Sequence, residues 1–167
     1  MYNELLPVVD ENDCVIDTLP RHYVHAQSLR HRAVHILVFD DQDRLFLQKR
    51  SLLKDLNAGL WDTSAAGHVD AGEDYDSCAL REIEEELGIK AGDGLESLFK
   101  LPATAAIGME FIQVYRCRHN GPFTLAPEEI EAGDWFSERD LSSRIAADDQ
   151  TLTETFKTIW RHYRLSS

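Results

Sequence analysis

Residues 67–89 read GHVDAGEDYDSCALREIEEELGI, and the fold is decided by how this stretch is read. Tyr75, Cys78, Ala79, Ile83 and Leu87 recur at helical period. Gly88 stands where a left-handed C-terminal cap belongs, so the spacing predicts a helix over 74–87. Glu82, Glu85 and Glu86 are related as i, i+3 and i+4, and at about 100° per residue they project from one side of that helix. Glu82 and Glu86 break the amphipathic pattern, because they fall inside the apolar stripe instead of joining Ser77 and Glu84 on the solvent side. Carboxylates shielded from water raise one another's pKa and are costly unless something neutralises them. Arg81 is the base close by in sequence, and one guanidinium does not balance the group. Hard, oxygen-seeking cations, Mg²⁺ or Mn²⁺, are the partners this chemistry predicts.

An acid-rich helix is more often a solvated face that carries charge for solubility. The segment 70–86 departs from that pattern: it holds eight acids against one base, so 17 residues supply 7 of the 13 net negative charges of the chain. Like charges at i, i+4 weaken a helix, so a purely structural segment has little reason to gather them on one side.

The same stretch resembles the signature of the Nudix hydrolases: glycine, five residues, glutamate, seven residues, Arg-Glu, an aliphatic, any residue, Glu-Glu, any residue, glycine and an aliphatic. Gly67, Glu73, Arg81, Glu82, Ile83, Glu85, Glu86, Gly88 and Ile89 fill those places in order, and nine positions at fixed spacing are far more specific than a short glycine motif. The resemblance implies that Glu82, Glu85 and Glu86 are metal ligands, helped by the Gly67 carbonyl, and that Glu73 and Arg81 lock loop and helix through an ion pair. It further implies hydrolysis of a diphosphate linkage, in a nucleoside diphosphate derivative or related small diphosphate, under Mg²⁺ or Mn²⁺. The expected catalytic residues are Glu85 as base, Glu82 as ligand and Arg81 as orienting group, with Glu110, Glu128 and Glu129 as alternative bases. The group beyond the diphosphate is read by loops whose shape one sequence does not give.

Around the signature, 167 residues and 19.0 kDa with 43% hydrophobic and 28% charged residues describe a single domain over 1–167 with a real core. No run reaches membrane-spanning length and the first twenty residues lack a secretory pattern, so neither a membrane nor export is expected. Three scattered cysteines without zinc spacing suit the cytoplasm. A net charge of −13 argues against a nucleic-acid polymer as partner, whereas a small anion remains compatible because bound cations invert the local field. A homodimer is a possible assembly for such proteins. Hairpins are expected over 7–16 and 33–48, strands over 60–65, 110–118 and 133–136, a helix capped by Ser137, and a last helix over 151–163. The fold class expected is α+β, a Nudix-type α/β/α sandwich with a mixed central sheet and a catalytic loop-helix-loop.

Weaker cues are similar to a narrower branch related to isopentenyl-diphosphate isomerase: Val9-Asp10-Glu11-Asn12, Leu29-Arg30-His31-Arg32-Ala33, Leu47-Gln48-Lys49-Arg50, Gly59-Leu60-Trp61-Asp62 and Ala66-Gly67-His68. In that branch the residue before Gly-His is a cysteine that takes part in proton transfer, and here it is Ala66. The branch also holds a metal with histidines and two glutamates that have one residue between them. His31 and His68 are in place and His25 lies near where another ligand is expected, but Gly108 occupies the first glutamate position before Glu110. Loss of those parts beside a complete signature favours hydrolysis over isomerisation. A lone strand histidine is more often structural, which is the reading for His31 and His35, and Trp61 reads as core. His68, Lys49, Arg50 and Glu110 are candidate substrate contacts, the two bases because they end a strand that should approach the cleft. A non-catalytic diphosphate sensor is the remaining alternative, and it would be expected to have lost a ligand glutamate.

Overall fold

The computed structural model describes residues 4–166. A seven-stranded mixed sheet runs through it, made of β3 (His31–Phe39), β4 (Leu45–Arg50), β5 (Trp61–Asp62), β6 (Ala65–His68), β7 (Glu96–Leu101), β8 (Glu110–Arg118) and β9 (Ile130–Phe136). The central strand β3 pairs in parallel with β8 over its whole length. Its other edge is shared, with β6 antiparallel along residues 33–36 and β4 antiparallel at Val38 and Phe39. A separate hairpin of β1 (Leu5–Val9) and β2 (Val15–Pro20) leads into the short helix α1 (Arg21–Ala26).

Alternation along β3 divides the core in two, since successive strand side chains point to opposite faces. Val34, Ile36 and Val38 pack with Cys78, Ala79, Ile83 and Leu87 of α2 (Tyr75–Leu87). Ala33, Leu37 and Phe39 pack on the other face with Leu141 and Ile145 of α3 (Glu138–Ala146) and with Phe156, Ile159, Trp160 and Tyr163 of α4 (Glu154–Ser166). The result is the expected α+β sandwich with a mixed central sheet.

α2 starts where Asp74 accepts a hydrogen bond from the Ser77 N–H at 2.7 Å and stops at Gly88, whose φ of 74° no β-carbon disfavours. Ser137 caps α3 as expected. The last helix begins at Glu154, later than the pattern predicted, because Thr153 Oγ1 accepts the Phe156 N–H at 3.0 Å and so ends the turn before it. α1 and β7 were not foreseen; α1 has six residues and β7 alternates poorly.

Asp13, in the turn between β1 and β2, clamps the hairpin to the body. Its carboxylate accepts from Arg32 Nε at 2.7 Å, Tyr75 OH at 2.7 Å and Lys100 Nζ at 2.8 Å. Among the described residues no helix is long and apolar enough to cross a membrane.

Candidate functional site

Strand β6 and helix α2 meet at Gly67. A β-carbon built on Gly67 would lie 2.2 Å from Glu82 Cδ, so this position accepts only glycine while the carboxylate fills the space in front of it. The Arg81 guanidinium takes Glu73 bidentately, Nε to Oε2 at 2.8 Å and Nη2 to Oε1 at 2.9 Å. It also bonds Glu82 Oε1 at 2.7 Å, Glu85 Oε2 at 3.3 Å and the His68 carbonyl at 3.2 Å. One arginine therefore ties the loop before α2, two acids of α2 and the end of β6 together.

Glu86 is the most deeply placed acid, 3% exposed. Its Oε1 accepts from Gln48 Nε2 at 3.0 Å and from the Ala66 N–H at 3.4 Å. Burial first, and then contact with Glu82 and that residue's charge, push the Glu86 carboxyl well above the usual carboxylate range. Burial also raises Glu82, against the pull of Arg81. Glu85 stays exposed at the rim. The three glutamates are thus graded from buried to open, and only neutral donors reach Glu86. Oxygen donors of this kind suit a hard divalent cation, although the Arg81 guanidinium already bonds two of the three acids.

Another acid near this face is Glu129, in the loop before β9. Its charge adds to the upward push on Glu86, and its Oε2 accepts from Lys54 Nζ at 2.5 Å. Lys49 pairs with Glu131 at 3.6 Å, and Trp61, its register partner, packs with the α3–α4 core. Arg50 Nε donates to the Leu56 carbonyl at 3.1 Å, so its guanidinium is bound into the β4–β5 connection. Sequence reasoning did not single out Gln48 or Lys54. A buried amide in an apolar strand was the available signal for the first.

Glu110 and His68 go elsewhere. In β6 the Gly67 position faces α2, so the next side chain, His68, faces the opposite side of the sheet. There its Nε2 bonds Glu110 Oε2 at 3.1 Å. His31, paired in register with Glu110, brings its own Nε2 to 3.2 Å from the same oxygen. That nitrogen is buried and lacks the alignment of a hydrogen bond. His25 from α1 completes the group: the rings of His25, His31 and His68 lie 5.1 to 5.3 Å apart, with a nitrogen of each within 4.8 Å of the others. Burial, then the charges of His68, Arg21 and His31, pull the His25 pKa down to about 4, which leaves a neutral imidazole with a free lone pair. Burial alone would raise Glu110, but the close His31 ring and the bond with His68 hold it below the usual range. Three imidazole nitrogens and one carboxylate fit a nitrogen-seeking divalent ion such as Zn²⁺ or Mn²⁺. The candidate residues therefore form two groups on opposite faces of β6.

The NUDIX domain profile matches residues 29–156, three quarters of the chain and all of both groups except His25. The chain belongs to the Nudix family. As a Nudix hydrolase it is a pyrophosphohydrolase of diphosphate-containing substrates. It is 35% identical over 162 residues to an isopentenyl-diphosphate Delta-isomerase of Serratia proteamaculans, covering 95% of this chain and 90% of that protein. It is 36% identical over 144 residues to an uncharacterised Nudix hydrolase of Yersinia pestis, covering 84% and 77%. The crystal structure of a Deinococcus radiodurans protein superposes with a TM-score of 0.85 at 27% identity over 95% of this chain and 98% of that one. The NUDIX domain of Shewanella oneidensis NrtR, solved complexed with ADP ribose, shares the fold with a TM-score of 0.62 at 14% identity, covering 86% and 96%.

Proposed function

We propose that this Nudix hydrolase cleaves the diphosphate linkage of a nucleoside diphosphate derivative or related small diphosphate, with Mg²⁺ or Mn²⁺, on the α2 face of its sheet. The observation that carries this reading is the buried Glu82–Glu86 pair set against Gly67, raised in pKa and contacted by a single base. Glu82 and Glu86, with Glu85 and the Gly67 carbonyl, would hold the cation. When bound, it would neutralise the phosphate oxygens and lower the pKa of the attacking water. Arg81 orients Glu82 and Glu85 through its bonds to both. Glu85, exposed at the rim, is the favoured proton acceptor, and Glu129 on the same face is its alternative; Glu110, on the far face, is not. The ADP ribose held by the Shewanella domain is a substrate of the proposed class. The net charge of −13 and the three free cysteines support a small-molecule substrate and a cytoplasmic setting.

A second reading, isomerisation of an isoprenoid diphosphate, is favoured by the histidine group with Glu110 and by the Serratia relative's name. Against it stand Ala66, which has no proton to give, and Gly108, which offers no side-chain ligand. A panel of nucleotide sugars, dinucleotides, thiamine diphosphate and isoprenoid diphosphates, incubated with Mg²⁺, separates the readings. Released phosphate esters support the hydrolase, a shifted double bond the isomerase, and binding without turnover a sensor. No cleavage of any diphosphate with either cation, or unchanged turnover in Glu86→Gln, would overturn the assignment.

A further inference from the structure

Gln48 is 3% exposed in β4, opposite Gly133 in register, and its side chain reaches across to α2. Its Nε2 donates to Glu86 Oε1 at 3.0 Å and, more weakly, to the Ser64 carbonyl at 3.4 Å, so both amide hydrogens are committed. The amide has to present nitrogen here, because its oxygen against a carboxylate would be repulsive. Glu86 Oε1 also lies 3.4 Å from the Ala66 N–H, so one carboxylate oxygen meets two neutral donors while the carboxyl remains in contact with Glu82.

We propose that Gln48 is a positioning residue for the cation site: its amide fixes the rotation of the Glu86 carboxyl so that the other oxygen is offered beside Glu82. The proposal rests on the hydrolase reading for the identity of the site. A fixed ligand gives up less side-chain freedom when a cation binds, since a free glutamate loses well over a kcal/mol of rotamer entropy on ordering. The neutrality of the donor matters as much as its reach. A lysine or arginine at this depth would pair with Glu86 and cancel the negative charge that attracts the cation, whereas an amide orients the carboxylate and leaves its charge in place.

The test is Gln48→Met, which keeps the length and volume and removes both donors. Mn²⁺ binding to the substrate-free protein, read by electron paramagnetic resonance, should weaken ~10- to 100-fold, the range found when an outer partner of a metal ligand is lost. The Mg²⁺ concentration for half-maximal turnover should rise by the same factor, with turnover recovering at saturating Mg²⁺. The melting temperature in EDTA, read beside it, should not fall in step with the loss of Mn²⁺ affinity, which separates a lost cation site from a lost fold. Should Gln48→Met not fold, Gln48→Asn retains the amide one methylene short of Glu86 and should show the same weakening. Unchanged Mn²⁺ affinity in a folded variant, or a lower melting temperature in EDTA with normal affinity, would make Gln48 a core amide and overturn the proposal. The Mn²⁺ titration needs no turnover, so its outcome stands whether or not a diphosphate is found to be hydrolysed.

Discussion

Two regions of the molecule bury carboxylates, and they do so in opposite ways. Asp13 sinks between β1–β2 and the sheet with its side chain 6% exposed and meets two cations and a phenol: Arg32, Lys100 and Tyr75. Burial alone would raise its pKa, but those three bonds win and hold it below the ordinary value. Glu82 and Glu86 sink between α2 and β6 and meet each other, one arginine and neutral amides, and burial wins. An acid answered from within the chain is a fastener. An acid pair left short of positive charge suits a cation from outside, and under the proposed function it is the receptor for one.

The comparison breaks most visibly at Glu86. Glu86→Gln should cost roughly 1000-fold in metal-dependent turnover, about 4 kcal/mol of barrier, within the several kcal/mol a metal contributes. The same substitution should leave the melting temperature in EDTA unchanged or higher, because it removes a buried charge that has no cation. A clear fall in apo stability would mean that Glu86 is a fastener too.

Asp13→Asn should do the reverse. Removing the charge leaves Arg32 and Lys100 without their shared anion, a loss of about 3 kcal/mol as for other broken buried pairs, read as a shift of the urea midpoint. Turnover per folded molecule should hardly change, since Asp13 bonds none of the α2 glutamates. Equal loss of stability and of turnover would merge the two regions into one.

Proton linkage should then give the two regions opposite signatures. Asp13 is depressed in the fold, so its contribution is present above the unfolded value of about 4 and disappears as pH falls through the still lower folded value. Glu82 and Glu86 are raised, so their contribution is fully present below about pH 4.3 and is lost as pH rises through the folded values. In EDTA the wild type should lose stability between weakly acid and neutral pH, and Mg²⁺ should remove most of that slope. Glu86→Gln should flatten the slope without Mg²⁺, while Asp13→Asn should alter only the acid limb. Urea titrations from pH 3 to 8 with and without Mg²⁺ check all three, and a wild-type slope insensitive to Mg²⁺ would count against the receptor.

The acid cluster of α2 was legible in the sequence and the Asp13 clamp was not, for a physical reason. Glu82, Glu85 and Glu86 share one side of α2 by helical spacing alone, and Glu73 reaches Arg81 across one turn and a loop, so local geometry carries the pattern. Asp13 meets partners at 32, 75 and 100, contacts created only when hairpin, sheet and helix assemble. The alternating pattern of β8 was legible, but not the register that sends Glu110 to His31 and His68 instead of to the α2 acids. Lys49 and Arg50 likewise ended a strand as expected, yet the pairing of β4 with β9 and the turn after it commit them to Glu131 and to the Leu56 carbonyl. His25 was placed near the other two histidines by resemblance alone, since its six-residue helix is too short to leave a periodic trace.

The smallest expected effect sharpens the boundary between the regions, because Tyr75 belongs to both. It opens α2, the helix of the glutamates, and its hydroxyl donates to Asp13 Oδ2 at 2.7 Å beneath the Arg32 and Lys100 cations, which lie 5.4 and 5.5 Å from its ring centre. Tyr75→Phe keeps the ring and both cation contacts and deletes one of three donors to a carboxylate that retains the two charged ones. The expected loss is about 1 kcal/mol of stability. In a cycle with Asp13→Asn the two losses should fall short of additive, since both remove the same bond. The half-activating Mg²⁺ concentration should stay at the wild-type value, because the helix stays anchored at Asp74 and through Arg81, closer to the acids. A changed Mg²⁺ requirement would mean that the fastener sets the position of the receptor, and that the α2 glutamates depend on a hairpin more than sixty residues before them.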